Sequence, residues 1–412
     1  MRRLVALLIC ILLLALWGCS RDFSPAAPRE NPPARPLTTP EALLARSSND
    51  FGWRLFTHVA GESGEQNTLI SPLSVTLALA MAYNGAGGET ESAMRTTLGF
   101  PESARDEVNT GLLGLTDLLT HLDYGVKFQI ANSIWYRQGL PVAADFIERN
   151  RTFYAASVQP LDFSAAGAPA VINAWASKNT NGRIPHVIDG IDPDIMLLLL
   201  NAIYFKGSWT TEFAPTETRQ EPFTRADGSA IPCRMMRQTA TLGYFENDVM
   251  QAVDLPYGDG HFAMTVILAK NGLSTLPLPQ DAATWEAWHA RFVQQNGTLY
   301  LPKFKFSGEL MLNSHLKALG MPVAFDDQRA DFSGITMAMR LFISYVKHCS
   351  FIQVDEEGTE AAAVTVVGVG TTSIGEPTGF LMHVNRPFLV VIHDHHSKTA
   401  LFIGRIYQPE WK

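Results

Sequence analysis

Cysteine is scarce, with four in 412 residues and no C-x-x-C or finger-like spacing, which excludes a disulfide scaffold and a zinc-finger core. Charge is modest too: 17% of residues, with 32 basic against 40 acidic giving a net −8. No Lys/Arg-rich run stands out, so no nucleic-acid partner is expected. The G-x-S-x-G elbow, H-E-x-x-H, the P-loop and G-x-G-x-x-G are all missing. Without them nothing supports an enzyme, and no cofactor is expected.

What is present is a large apolar fraction, 46%, enough for a sizeable core. Met1, Arg2 and Arg3 form a basic head, and Leu4 to Trp17 is an apolar run too short to span a bilayer. Residues 1–18 therefore read as a targeting signal. The run ends in LWGC, which resembles a bacterial lipobox and implies that Cys19 is lipid-modified and becomes the mature N-terminus. Ser20 resembles the signal for transport to an outer membrane. The chain is expected to be exported and lipid-anchored to a bacterial outer membrane or cell surface, with periplasmic or secreted release as the alternative.

Residues 19–40 are rich in proline, which favours an extended stalk over a packed element. One folded domain is expected over 41–412, since no second linker of this kind interrupts it. Cys10 lies in the signal, leaving Cys233 and Cys349 in the domain; the sequence does not show whether they pair.

Ser71 as N-cap and Pro72 at the first helical position predict a buried helix that the glycines at 85, 87 and 88 stop. Phe51, Leu55, Phe56 and Val59 recur at helical spacing and predict a helix over 50–60. Buried strands are read at 196–205, 262–269, 299–306, 388–393 and 400–407, the last two as a hairpin. Helices dominate the first half and strands the second, so the class is mixed α+β with large sheets.

Two acidic pairs, Asp326-Asp327 and Glu356-Glu357, have no third oriented group and read as surface charge. The run His393, Asp394, His395, His396 places His393 and His395 on one strand face, as a metal pair would need. Its position at the hairpin turn favours a solvated polar loop, and no metal site is expected.

From Ala361 to Ile374 every residue is uncharged, and most are Ala, Val, Gly or Thr. With its flanks this stretch resembles the reactive-loop hinge of the serpins, inhibitors of serine proteases. LISPLSV (69–75), NTNGRIPHVI (179–188), NAIYFKGSW (201–209), LPKFKF (301–306), FIQVDEEGTEAAA (351–363), VNRPFLVVI (384–392) and LFIGRI (401–406) resemble that family's blocks in the same order.

The resemblance implies a serpin fold: a large central β-sheet, two further sheets, about eight to nine helices and an exposed reactive-centre loop. It implies a suicide-substrate mechanism, in which a serine protease attacks the loop, an acyl-enzyme forms, and the loop's arm inserts as a new strand of the central sheet. The hinge would comprise Glu356, Glu357, Gly358, Thr359, Glu360, Ala361, Ala362 and Ala363. Thr359, Ala361, Ala363, Thr365, Val367 and Val369 would face the core. The cleaved bond would lie between Thr372 and Ser373, within the range 371–374. No Arg or Lys lies near it, so elastase-like or subtilisin-like proteases are the expected targets.

Ser71, Ser74, Asn201 and His348 match a polar cluster beneath the opening sheet. Trp209, Lys303 and Glu356 match the point of first insertion, with a Lys303–Glu356 ion pair. Read without the family, Ser71 is a cap, His348 a core histidine and Trp209 a core aromatic. A monomer is expected, anchored to the membrane through its lipidated N-terminus. The alternative is a non-inhibitory member acting as a cell-surface binding protein; such members tend to carry charged or bulky residues where this chain has GTEAAA.

Overall fold

The computed structural model describes residue 31 and residues 33–102, 105–359 and 379–411. The signal over 1–18, Cys19, Glu360, Ala361, Ala362, Ala363, Thr372 and Ser373 lie outside the described residues.

In chain order the elements are α1 (Thr39–Glu62), β1 (Thr68–Ile70), α2 (Pro72–Tyr83), α3 (Gly88–Leu98), α4 (Arg105–Thr120), β2 (Val126–Arg137), α5 (Ala144–Tyr154), β3 (Ser157–Leu161), α6 (Ala168–Asn179) and β4 (Leu197–Ser208). The second half holds β5 (Arg219–Thr224), β6 (Ala230–Glu246), β7 (Met250–Tyr257), β8 (Phe262–Ala269), α7 (Ala282–His289), β9 (Val293–Pro302), β10 (Phe304–Met311) and α8 (Asn313–Ala318). It closes with β11 (Lys347–Val354), β12 (Gly358–Thr359), β13 (Phe380–His383), β14 (Phe388–Asp394) and β15 (Ala400–Ile406). The class is mixed α+β.

The described strands form two sheets. One has nine strands in the order β1-β15-β14-β8-β7-β6-β9-β13, with β5 on β6; the other has six, in the order β10-β11-β12-β4-β2-β3. The six-stranded sheet corresponds to the expected central one. The two further sheets run together here, because β6 is long enough to pair with β5, β7 and β9 along its length.

Helix α1 reaches well beyond the expected 50–60. Thr38 and Glu41 make a capping box at its start, a pattern that satisfies two orphan N–H groups and extends the helix by three turns. Helix α2 begins at the Ser71 cap, whose Oγ accepts from Ser74 N at 3.3 Å. It is buried along almost its whole length and packs against β4.

The strand expected over 299–306 is interrupted at Lys303, which separates β9 from β10. Pro302 has no N–H to continue a ladder, and the chain crosses here from the nine-stranded to the six-stranded sheet. The hairpin of β14 and β15 forms as expected, in register from Phe388↔Ile406 to Ile392↔Phe402, and both strands are buried throughout.

Candidate functional site: an open strand position

Strand β4 was expected to be fully buried, yet Leu197, Leu199, Leu200 and Asn201 are only half-buried. The reason is an edge without a neighbour. β4 pairs with β2 along one side, from Val126↔Gly207 to Tyr136↔Leu197. Along the other it meets only β12, at Ser208↔Gly358 and Gly207↔Thr359. β11 pairs fully with β10, and its other edge meets β12 only at Val354↔Thr359. Below this two-residue bridge, β4 and β11 leave one strand position open among the described residues.

The opening forms a cleft of about 170 Å³ lined by Ser74 and Leu79 of α2, Leu198 and Asn201 of β4, and His348 and Cys349 of β11. Apolar walls with free backbone groups on both rims are what an added strand requires. Cys349 and Cys233 are both free thiols, and burial pushes each up to about 11.

The bridge itself is the start of the hinge. Asp355 turns the chain: its Oδ1 accepts from Glu357 N at 3.1 Å and Gly358 N at 3.3 Å. Trp209 clamps this turn, its Nε1 donating to Asp355 O and its backbone N to Glu357 O, both at 2.9 Å. The Trp209 indole stacks on Tyr257, centroids 4.4 Å apart, and Tyr257 Oη lies 2.5 Å from Thr359 Oγ1. Thr359 is thereby 3% exposed.

The need for glycine at 358 is steric. A Cβ there would sit 2.1 Å from the Gly207 carbonyl oxygen.

Glu356 is not surface charge. Its carboxylate is buried and lies 2.5 Å from Lys303 Nζ, with Thr218 Oγ1 donating at 2.8 Å. Burial works against its charge, but Lys303 and Thr218 outweigh it and hold Glu356 below the ordinary glutamate value of 4.5. The contribution of this pair is therefore complete above pH 4.5 and is lost as pH falls through the lower folded value. Lys303 also lies over the Trp411 ring, 4.3 Å from its centroid. Lys303→Ala strands the carboxylate, and a loss on the order of 3 kcal/mol is expected, with faster amide exchange at Gly358 and Thr359 as the local readout.

The polar cluster beneath the sheet is only partly assembled. His348 Nε2 accepts from Ser71 N at 3.1 Å, and Ser71 caps Ser74. Asn201 instead donates to Asn132 Oδ1 at 2.7 Å, and its own Oδ1 is buried without a partner.

Burial lowers the His348 imidazole from 6.5 to about 4. A histidine held neutral stabilises the fold fully above pH 6.5 and loses that contribution as pH falls towards 4, about 3 kcal/mol in all. His348→Gln should flatten this part of the stability profile, measured by denaturant unfolding between pH 7 and pH 4.5.

Tyr257, Asp355 and Thr218 complete the hinge, and the sequence analysis missed all three. Asp355 had a local signal, an Asp three residues before Gly in a turn. Tyr257 and Thr218 had none, because each is more than a hundred residues from the hinge in the chain. Asp326 also serves structure, accepting from Gln328 N and Arg329 N, while Asp327 is exposed as expected.

The histidine run also departs from its expected solvated turn: His393 is 1% exposed and Asp394 is fully buried. Asp394 accepts from the backbone N–H groups of His396, Ser397 and Thr399, which folds the turn back onto the protein.

Fold and site together define a protein that, among its described residues, leaves a strand position open between β4 and β11, with Gly358 and Thr359 seated at its mouth. A family model described as Serpin (serine protease inhibitor) matches residues 46–409: the chain belongs to the serpin family. An uncharacterised serpin-like protein of Thermococcus kodakarensis is 33% identical, with all of both chains covered. Human neuroserpin is 31% identical over 90% of this chain and 92% of its own. The crystal structure of tengpin, a thermophilic serpin in its native state, superposes with a TM-score of 0.80 at 30% identity, covering 92% of this chain and 97% of that one. Serpins are in general inhibitors rather than catalysts, and a serine protease is the partner the family implies.

Proposed function

We propose that this chain inhibits serine endopeptidases as a suicide substrate, by inserting residues 360–371 between β4 and β11 after cleavage of the Thr372–Ser373 bond. The open strand position with Gly358 and Thr359 already seated at its mouth carries this reading. An arm continuing from Thr359 would place Ala361, Ala363, Thr365, Val367 and Val369 on the same face by strand alternation. The far end of the arm leads into β13, which pairs with β9 of the other sheet from Phe380↔Gly297 to His383↔Tyr300. An uncut arm is thus tied at both ends, and cleavage frees one of them.

The uncharged residues around Thr372 suit proteases with shallow primary pockets, elastase-like or subtilisin-like. Acting as a monomer, the inhibitor would be exported and held at an outer membrane or cell surface through lipidated Cys19. Cys19→Ala should then release it from the membrane fraction.

The test is a panel of elastase-type and subtilisin-type proteases. A denaturant-resistant covalent complex is expected, with sequencing of the released fragment starting at Ser373. Cleavage throughout the panel with neither complex nor gain in thermal stability would falsify inhibition, and is the outcome a non-inhibitory cell-surface binding protein would give.

A further inference from the structure

Four side chains that the insertion mechanism does not use meet where α7 lies against the nine-stranded sheet. Asp254 comes from β7, His289 from the last position of α7, His393 from β14 and His395 from the turn after it. One ligand atom from each lies within 4.8 Å of all the others. We propose that these residues form a binding site for a single divalent first-row transition-metal ion, with Zn²⁺ its natural fit.

The hydrogen bonding brings one ring nitrogen of His395 to Asp254, where a proton or a metal ion can sit between them. His395 Nδ1 lies 2.8 Å from the Gly260 carbonyl oxygen, which only accepts, so Nδ1 carries the proton. In the neutral ring Nε2 is then an acceptor, yet it lies 2.7 Å from Asp254 Oδ2, another acceptor. In the imidazolium a proton fills this place, and a metal ion bound by both groups would replace it. The same Nδ1–H to carbonyl bond is how proteins orient metal-bound imidazoles.

His289 Nε2 makes the second observation. It is buried with no hydrogen-bond partner and points at Asp254 Oδ2 from 3.6 Å. His393 Nε2 lies 3.3 Å from Asp254 Oδ1 and 2.9 Å from Thr265 Oγ1, so the hydroxyl also supports the ring and the carboxylate.

Tetrahedral Zn²⁺ with ligands at roughly 2.0–2.1 Å separates neighbouring ligand atoms by about 3.3 Å. The distances to the Asp254 carboxylate, 2.7, 3.3 and 3.6 Å, bracket that value, and all four ligand atoms lie within 4.8 Å of one another. Three imidazoles and one carboxylate favour a borderline ion over Mg²⁺ or Ca²⁺, which prefer all-oxygen shells. Four protein ligands leave no open position, so the ion is structural: it pins the end of α7 to β7 and β14.

The experiment uses the full chain without a polyhistidine tag, stripped with chelator and titrated with Co²⁺ by visible absorption, then with Zn²⁺ in competition. One ion per chain in a tetrahedral, thiolate-free spectrum is expected, with Zn²⁺ raising the unfolding temperature. His395→Gln and His289→Gln, both at half-buried positions, should each weaken binding at least about 100-fold. His58→Gln, in the second cluster with Glu62 and His315, should leave it unchanged.

If one ligand variant fails to fold by circular dichroism, the other decides. Absence of stoichiometric binding, equal binding by wild type and both ligand variants, loss only in His58→Gln, or a thiolate charge-transfer band would each overturn the site.

Discussion

Thr359→Arg yields a protein that the target protease cleaves and leaves, with no covalent complex on a denaturing gel. Thr359 is buried against Tyr257 at the mouth of the open strand position. Glu356, a buried carboxylate of the hinge, is already engaged by Lys303 and Thr218. An arginine placed inward would bury a charge without a partner, at a cost of about 3–5 kcal/mol. Since each ~1.4 kcal/mol is tenfold in rate, insertion slows by more than about a hundredfold and deacylation wins. Thr359→Ser keeps the size and the hydroxyl, and should keep the complex. Full complex yield from the arginine variant would place the inward face elsewhere.

Cleavage of the arm without trapping should raise thermal stability by on the order of 10 °C. Among the described residues only β12 lies between β4 and β11, leaving donors and acceptors on the rims below it, and about ten ladder bonds at ~1 kcal/mol each would form on insertion. That sum approaches the stability of a whole domain, so the open position is the energy store of the mechanism. Scanning calorimetry of intact and nicked protein measures it, and equal midpoints would remove the driving force from the proposal. Val364, Gly368 and Gly370, outside the described residues, would bear on rate rather than endpoint, since a β-branched side chain at the first steps and two glycines in the strand could slow its entry.

Local signals carried much of this fold. Ser71 and Pro72 marked α2, and the apolar runs at 262–269 and 388–393 marked strands that are buried as read. The capping box at Thr38 and Glu41 was an equally local signal, but the apolar spacing at Phe51, Leu55 and Phe56 drew the helix boundary to the wrong turn. Lys303 shows a different limit. An apolar run reads as one strand, whereas Pro302 and the change of sheet divide it, and sheet membership is not a local property. The same holds for Tyr257 under Thr359, and for Asp254, which gathers His289, His393 and His395 from elements far apart in the chain. Alternation correctly put His393 and His395 on one face, yet their burial depends on β7 and α7, which the run itself does not reveal.

The strand order β1-β15-β14-β8 also sets a timetable. β1 is made early, but its partner is β15, with Ile70 opposite Ile403, so the nine-stranded sheet waits for nearly the last residues synthesised. Contacts this distant form slowly. The arm is synthesised after β4 and β11 but before β14 and β15. The nine-stranded sheet, which holds β13 at the far end of the arm, is therefore completed only after the arm has been made.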